Sequence, residues 1–152
     1  MYMELKKRSG FQVCGYCTET SLTTCGEDLA ELWRRFEENG DEFYRAFGFR
    51  RDFYGLMWLT QNGRYCYLIG PETETTGEIP RGMVFKQIPP AEYAVLHVPS
   101  DRPAFDAWTE YYEKILPEAG YVPNKAHGID FEYYPNGGGE DYELWTPLME
   151  RG

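Results

Sequence analysis

The sequence predicts an α/β (α+β) domain made of two βαββ modules that are related by a pseudo-twofold axis. Two observations lead to this fold class. The chain runs through strand, helix and hairpin twice, and each predicted helix holds a central tryptophan, Trp33 or Trp108. Two modules that each have one apolar sheet face are stabilised by pairing. The 152 residues therefore form a single domain, 1–152, with pseudo-repeats of about 1–76 and 77–152.

The first module is predicted to begin with a strand over residues 11–18. Apolar residues then recur at helical spacing from Leu29 to Phe36, which predicts a helix over 27–39. Asn62-Gly63 between two apolar runs predicts a hairpin of strands 54–60 and 64–70. Residues 41–52 have no clean period. They are interpreted as a loop with one helical turn, as an extension of the helix, or as a flap that carries aromatic rings over a cavity; those rings are Phe43, Phe47 and Phe49.

The second module is predicted to begin with strands 83–88 and 93–98, which Pro89-Pro90 separates. Ser100 or Asp101 can cap the following helix, and Pro117 and Gly120 are expected to end it. Its predicted buried stripe is Phe105, Trp108, Tyr112 and Ile115. The last element is a hairpin over 129–148, whose turn is Gly137-Gly138-Gly139.

Each arm of this last hairpin carries one acid among bulky neighbours, Glu132 or Glu143. Because strand side chains alternate between faces, Glu143 is expected to share a face with Trp145, and Glu132 with Tyr134. Aligning the two modules through Pro71 and Pro147 sets Tyr67 at the position of Glu143. Burying a carboxylate on a covered sheet face costs free energy unless a partner neutralises its charge, and the expected partner is a ligand.

Charge and composition restrict the expected partners. The net charge of −10 disfavours nucleic acid and is compatible with cationic or neutral ligands. No apolar run has the length of about 18 residues that a membrane span needs, and the N-terminus lacks a secretion signal, so a cytoplasmic protein without a membrane partner is expected. The Cys14-x-x-Cys17 pair lies within a predicted strand, where the thiols face opposite ways. Neither a metal nor any other cofactor is therefore expected.

The candidate ligand-binding residues are acids and aromatic residues on strands near the predicted axis, together with one helical tryptophan. A carboxylate ringed by Tyr and Trp can neutralise a lipophilic cation, or can serve as a general acid or base once desolvation raises its pKa. The pattern leaves both uses open. The candidates are Glu143, Glu132, Trp145, Tyr67, Trp58, Tyr54, Tyr16 and Trp108, and Glu143 is also the catalytic candidate if the protein is an enzyme.

Several motifs of the second half resemble one known family. The W-x3-Y-x3-LP-x-x-GY pattern from Trp108 to Tyr121 and the terminal strand with Glu143, Trp145 and Pro147 are similar to those of the GyrI-like small-molecule-binding domain. This domain also forms the effector-binding part of AraC- and MerR-type multidrug regulators. The resemblance extends more loosely over the first half. It implies a concave antiparallel sheet with one main helix on each module, and an acid at the centre of an aromatic cleft. Glu143 matches that acid, and Glu132 matches a second acid found in some members.

The resemblance implies three functions. The first is a free-standing binder of hydrophobic, often cationic, compounds that sequesters or senses them, because no helix-turn-helix precedes the first predicted strand. The second is a hydrolase that opens cyclopropane-bearing genotoxins with a cleft Glu and Tyr. The third is a gyrase-inhibitor-like interaction protein. A homodimer is compatible with the sequence, but no residue pattern requires it.

Overall fold

The computed structural model describes residues 1–48, 51–74 and 78–150. All named strands belong to one antiparallel sheet, and the helices pack on one of its faces. The strands are β1 (Tyr2–Arg8), β2 (Phe11–Ser21), β3 (Phe53–Gln61), β4 (Arg64–Gly70), β5 (Val84–Ile88), β6 (Ala91–Val98), β7 (Asp130–Tyr134) and β8 (Tyr142–Pro147). The helices are α1 (Cys25–Glu38), α2 (Gly40–Phe47), α3 (Ala104–Glu110) and α4 (Leu116–Ala119), and a π-helical turn, Tyr111–Ile115, joins α3 to α4.

The strand order confirms the predicted fold class and its pseudo-twofold. The order is β1-β6-β8-β7-β3-β4-β2-β5. Exchanging β1 with β5, β2 with β6, β3 with β7 and β4 with β8 gives the same order read from the other end. The axis therefore passes between the central strands β3 and β7, where Gly55 pairs with Glu132.

Each βαββ module is preceded by one further strand that pairs with the other module, and of these two strands β5 was predicted as strand 83–88. The strand β5 pairs with β2, and β1 pairs with β6 along its whole length, from Tyr2 opposite His97 to Arg8 opposite Ala91. The sequence analysis did not predict β1. Its residues, YMELKKR, are rich in charge because β1 is a largely exposed edge strand, and its pairing depends on the distant strand β6.

Two very short connections make the sheet curl. Ser9-Gly10 joins β1, at one edge, to β2 near the opposite edge, and Pro89-Pro90 joins β5 to β6 in the same way. Since two linking residues span at most about 11 Å, the two edges must approach each other. The curl brings Phe11 of β2 to 5.3 Å from Phe131 of β7, measured between ring centroids, although β2 and β7 are not neighbours. We call the face on which these rings meet the inner face.

The helices cover the opposite face, which we call the helix face. One buried cluster joins Leu32 of α1 and Phe43 of α2 to Tyr67 and Ile69 of β4. Another joins Tyr111 and Leu116 of the second helical segment to strands β6 and β8. The two helical layers thus flank the central strands β3 and β7. None of the helices in the described residues is long and apolar enough to cross a membrane.

The second helical segment differs from its prediction. Phe105 and Tyr112, both expected in the buried stripe, are 61% and 39% exposed, whereas Tyr111 and Leu116 are buried. The buried face runs through Ala107, Tyr111 and Leu116. The turn between the last two is π-helical, because the Leu116 amide donates to the Tyr111 carbonyl five residues earlier. Pro117 lies inside α4 and does not end the helix, whereas Gly120, the other predicted end, does end it with a φ of 77°.

Residues 41–52 were interpreted as a loop with one helical turn, as a helix extension or as a flap. The structure shows a separate eight-residue helix, α2, which follows α1 after Asn39 and stops at Gly48. Phe43 of this helix is buried against Phe36, with ring centroids 5.0 Å apart. The predicted flap residue Phe49 lies outside the described residues.

Candidate functional site

The hairpin of β7 and β8 places its two acids on opposite faces of the sheet. Glu132 pairs with Leu144 of β8 and with Gly55 of β3, whereas Glu143 pairs with Tyr133. Neighbouring positions on a strand alternate between faces, so Glu132 lies on the helix face and Glu143 on the inner face. The predictions that Glu132 shares a face with Tyr134, and Glu143 with Trp145, are confirmed.

Glu132 is the buried acid of the helix face, with 4% of its surface exposed. Its Oε1 accepts hydrogen bonds from the hydroxyls of Tyr67 and of Tyr134, the latter at 2.8 Å. Its Oε2 accepts a hydrogen bond from Trp108 Nε1 at 2.8 Å. We call Glu132, Tyr67, Tyr134, Trp33 and Trp108 the inter-helix site.

Gly55 makes the central contact of this site possible. A β-carbon on Gly55 would lie closer than 3.0 Å to both the Tyr67 hydroxyl and Glu132 Oε1. The absence of a side chain on β3 therefore leaves the space in which a tyrosine of β4 reaches an acid of β7 across the intervening strand.

The electrostatics of Glu132 favour a neutral carboxyl or a cationic partner. Burial raises the pKa of Glu132, and the hydrogen bonds from Tyr67, Trp108 and Tyr134 offset part of that rise because they favour the ionised form. No Lys, Arg or His within the described residues forms a salt bridge with Glu132. The acid is thus hydrogen-bonded but carries no countercharge from the described part of the chain.

Tryptophans from both helical segments wall the site. Trp33 of α1 packs against Tyr134 and Tyr67, with ring centroids 5.5 and 6.3 Å away. Trp108 of α3 approaches from the other side and donates to Glu132. Sequence reasoning named Trp108 but left out Trp33 and Tyr134. The equivalent central tryptophans of the two predicted helices were the signal for Trp33, and the two-residue spacing from Glu132 was the signal for Tyr134.

A second carboxylate, Asp130, lies two residues before Glu132 on the same face. It accepts hydrogen bonds from the Tyr112 hydroxyl and, at 3.0 Å, from Thr146 Oγ1. Burial raises the pKa of Asp130 to about 6, and the two hydrogen bonds oppose that rise. Sequence reasoning missed Asp130, although the alternation of Asp130, Glu132 and Tyr134 along β7 placed the three on one face.

Four predicted site residues lie on the inner face, away from Glu132. Trp145 Nε1 donates to Glu143 Oε1 at 2.9 Å, and the side chain of Glu143 is 22% exposed. Glu143 therefore lies on the opposite face of the sheet from Glu132, and its role as the ligand-binding acid stays a prediction. The amino group of Lys86 lies 4.2 Å from the ring centroid of Trp58, and Tyr54 is buried in the inner-face core.

The alignment of Pro71 with Pro147 associated Tyr67 with Glu143. It set Tyr67 at the position of Glu143, yet the strand register places Tyr67 on the helix face and Glu143 on the inner face. A slip of one residue moves every side chain of a strand to the other face. Tyr67 therefore meets an acid of β7, Glu132, and does not meet Glu143.

The inner face already holds a cation from the chain itself. The guanidinium of Arg8 lies 3.5 Å from the ring centroid of Phe11 and 5.5 Å from that of Tyr54. Its Nη2 also donates to Glu72 Oε1 at 2.5 Å. The aromatic residues of this face thus lie around an ion pair between two residues of the chain, Arg8 and Glu72. Tyr16 is predicted as a site residue, but its hydroxyl donates to Glu42 of α2 at 2.6 Å and not to Glu132 or Glu143.

A cavity of about 360 Å³ lies between α1, α2 and the start of β3. Phe53 lines the cavity and also stacks on Tyr134 of the inter-helix site, with ring centroids 5.1 Å apart. The lining combines aromatic rings with carboxylates: Phe36, Phe43, Tyr44, Phe53, Glu37, Asp41 and Asp52.

The cysteines do not form a metal site in the described residues. Cys14 packs in the helix-face cluster and Cys17 against the inner-face core, so the two thiols face opposite ways as predicted. Residues 1–48, 51–74 and 78–150 contain no group of three or more His, Cys, Asp or Glu side chains that could hold a metal ion.

An aromatic site around a buried acid, on a sheet of this topology, is the architecture of an effector-binding domain. The family model described as "Integron-associated effector binding protein" matches residues 4–148, and the chain belongs to that family.

The sequence of the chain is also similar to that of a known regulator. The chain is 30% identical over 135 residues to the transcriptional regulator BrlR of Pseudomonas aeruginosa, an alignment that covers 88% of this chain and 48% of BrlR. The chain thus spans about half the length of that curated relative.

Two solved structures share the fold. The structure of SAV2435 bound to tetraphenylphosphonium superposes with a TM-score of 0.79 at 16% identity, and covers 98% of this chain and 94% of that one. An integron cassette protein from the mobile metagenome of Vibrio cholerae has a TM-score of 0.74 at 17% identity, with 97% and 95% coverage. The predicted GyrI-like domain is thereby confirmed, and small-molecule binding or sensing is the function of its class.

Proposed function

We propose that the protein binds hydrophobic cations at the inter-helix site, with the carboxylate of Glu132 as their countercharge. The observation that carries the proposal is the environment of Glu132. A carboxylate that is 4% exposed is held by three neutral donors and has no salt bridge to a described residue.

A cationic ligand relieves the cost of this arrangement. An ionised carboxylate loses hydration when it is buried, and an opposite charge within a few ångströms restores favourable electrostatics. The rings of Trp33, Trp108 and Tyr134 lie beside Glu132 and can each add a cation–π attraction of roughly 0.5–2 kcal/mol. Tetraphenylphosphonium, the compound in the SAV2435 structure, combines one positive charge with apolar rings and is therefore a suitable first probe.

Ligand access requires a side-chain movement, because Glu132 is closed off from solvent. The cavity beside α2 approaches the site most closely, with Phe53 between the cavity and Tyr134. The carboxylates of Glu37, Asp41 and Asp52 at this cavity attract cations, and its rings suit an apolar body. We infer that a ligand enters here and displaces Phe53.

Sensing and sequestration both agree with such a site. BrlR is a transcriptional regulator, and this chain matches about half of its length. In a sensing role, ligand binding at Glu132 is the input that a partner domain or protein reads. In a sequestering role, binding alone lowers the free concentration of a toxic compound.

Isothermal titration calorimetry with tetraphenylphosphonium tests the proposal. The Glu132→Gln variant is expected to lose affinity by about 10- to 100-fold, because an amide supplies no countercharge. Glu143→Gln is the matched control, since it removes the same charge from the inner face and is expected to bind within about twofold of wild type.

The opposite ranking of the two variants contradicts the proposal and supports the prediction from the sequence that Glu143 is the ligand-binding acid. Equal affinity of all three proteins rejects both acids. The hydrolase and gyrase-inhibitor functions stay predictions, and turnover of a cyclopropane-bearing alkylator above that of Glu132→Gln would favour the hydrolase.

A further inference from the structure

Two carboxylates on the helix face of β7 each accept a hydrogen bond from the same helical segment. Trp108 Nε1 donates to Glu132, and the hydroxyl of Tyr112, four residues later, donates to Asp130. Positions four apart on a helix advance by about 6 Å, and positions two apart on a strand advance by about 6.7 Å. The helix therefore runs beside β7 with matched spacing, and Trp108 stacks on Tyr112 with ring centroids 5.9 Å apart.

The two acids differ in their exposure to solvent. Glu132 is buried, whereas Asp130 is partly exposed and Tyr112 beside it is 39% exposed. Asp130 accepts hydrogen bonds from Tyr112 and Thr146, both of which are neutral donors. No salt bridge from the described residues reaches Asp130.

The residue before Tyr112 carries a buried hydroxyl that is unpaired within the described residues. Tyr111 is fully buried, and its hydroxyl has no hydrogen-bond partner among the described residues. Burial first, and the charge of Asp130 second, raise the pKa of Tyr111, so the hydroxyl is within the field of that carboxylate. Buried hydroxyls are normally paired, and an unpaired one in the field of an unneutralised acid indicates a polar partner that the chain does not supply.

The geometry points to a ligand with two positive centres within about 7 Å of each other, one held by Glu132 and the other by Asp130. This inference deepens the proposed function and rests on it, because Glu132 anchors the first charge. Asp130 is then a specificity-determining residue. It favours dications over monocations of similar shape, and Tyr111 and Tyr112 supply hydroxyls at the second charge.

Ethidium and propidium are a matched pair of probes. They share a phenanthridinium ring system, and propidium carries a second, quaternary ammonium centre on a propyl arm. Calorimetry without nucleic acid is expected to show that wild type binds propidium about tenfold more tightly than ethidium. Asp130→Asn is expected to reduce this preference to about twofold or less while it still binds tetraphenylphosphonium.

Two controls separate the local effect from the charge of the whole protein. Glu143→Gln removes the same unit of charge as Asp130→Asn from a chain of net charge −10 and is expected to keep the preference for propidium. Thr146→Val removes one hydrogen bond to Asp130 but keeps its carboxylate, and is also expected to keep the preference.

The inference is overturned if wild type binds both dyes equally, or if Asp130→Asn retains the full preference. It is also overturned if Glu143→Gln loses the preference as fully as Asp130→Asn, because the effect is then one of overall charge. Tetraphenylphosphonium binding without a preference for the dication overturns this inference alone. If wild type binds neither dye nor tetraphenylphosphonium, the proposed function fails together with it.

Discussion

Gly55 shows how the absence of one β-carbon can create a binding site. Glycine usually weakens a strand, because it costs backbone entropy and packs no side chain. Here it allows the hydroxyl of Tyr67 to cross β3 and reach Glu132. The cost in strand stability is offset by a hydrogen bond to a buried charge.

Gly55→Ala is therefore expected to break this contact. The added methyl group occupies the position of the Tyr67 hydroxyl, which leaves Glu132 with two donors. We expect a loss of about 1–3 kcal/mol in the free energy of unfolding, measured with urea, and weaker tetraphenylphosphonium binding. Gly26→Ala is the control, because its added carbon meets no atom within 4 Å. If the two variants unfold at the same urea concentration, Gly55 has no such role.

Asp130 makes the stability of the protein depend on pH. Its pKa is about 6 in the folded protein, above the ordinary aspartate value of 3.8. The folded state therefore holds a proton more tightly than the unfolded state. The resulting stability is fully present below about pH 4 and is lost as the pH rises through 6.

Asp130→Asn removes this dependence. Relative to wild type, the variant is expected to gain about 2–3 kcal/mol in free energy of unfolding between pH 4 and pH 7.5, as an upper limit for a partly exposed group. Urea unfolding at several pH values measures the difference, with the exposed Asp101→Asn as control. A constant difference between Asp130→Asn and wild type over this range would contradict the raised pKa.

At the scale of elements, α2 and the start of β3 form the boundary between the cavity and the inter-helix site. The helix α2 has only eight residues, and Phe43 anchors it in the core. Phe53 at the first position of β3 lines the cavity and stacks on Tyr134. Phe53 is thus a residue shared by the cavity and the buried site.

Phe53→Ala is expected to open this boundary. Removing the ring joins the cavity to the site, so the association rate constant of tetraphenylphosphonium should rise several-fold, as measured by stopped-flow quenching of tryptophan fluorescence. Phe105→Ala, which changes a ring that is 61% exposed on α3, is the control and should leave the rate unchanged. An unaltered rate in Phe53→Ala places the access route elsewhere.

The sequence predicted the hairpins better than the helices, for physical reasons. Gly63 and the three glycines 137–139 all have positive φ, as the predicted turns require. Turns of this kind are specified by a few adjacent residues, so they can be predicted from the local sequence. The helix stripe around Trp108 was wrong because it followed the large residues Phe105 and Tyr112, whereas the buried face includes the small residue Ala107 together with Tyr111. The helix α2 was missed as a separate element because Gly48, which ends it, interrupts its apolar pattern.

The residues predicted for the candidate site are divided between the two faces of the sheet. Glu132, Tyr67 and Trp108 were named and meet in the structure, whereas Glu143, Trp145, Tyr54 and Trp58 lie on the other face. The sequence shows that acids and rings alternate, but register decides which face is covered by helices. That register depends on pairing with β3 and β4, which no local pattern specifies.

At the scale of the whole molecule, Arg8 closes the curled sheet. It is the last residue of β1 at one edge, yet its guanidinium stacks on Phe11 and pairs with Glu72, which both lie towards the other edge. The contact joins a cation–π interaction to a partly buried ion pair. It therefore links the two edges of the sheet.

Arg8→Gln is expected to loosen this closure without affecting the inter-helix site. We expect a loss of about 1–3 kcal/mol in the free energy of unfolding, because the variant loses the cation and leaves Glu72 without its countercharge. Tetraphenylphosphonium affinity should stay within about twofold of wild type. The neighbouring exposed Lys7→Gln provides the control, and urea unfolding and calorimetry provide the measurements. A loss of affinity equal to that of Glu132→Gln would show that the cation binds on the inner face.

The crossed pairing of β1 with β6 and of β5 with β2 has a consequence for how the protein is assembled. The first strand of each half, β1 or β5, pairs with a strand of the other half. A half produced by itself would therefore leave strand edges unpaired. Neither half therefore forms its complete sheet without the other. Unfolding of either half breaks the pairing of β3 with β7 and exposes Glu132 to water. A ligand bound at Glu132, as proposed, is therefore expected to stabilise both halves of the chain together.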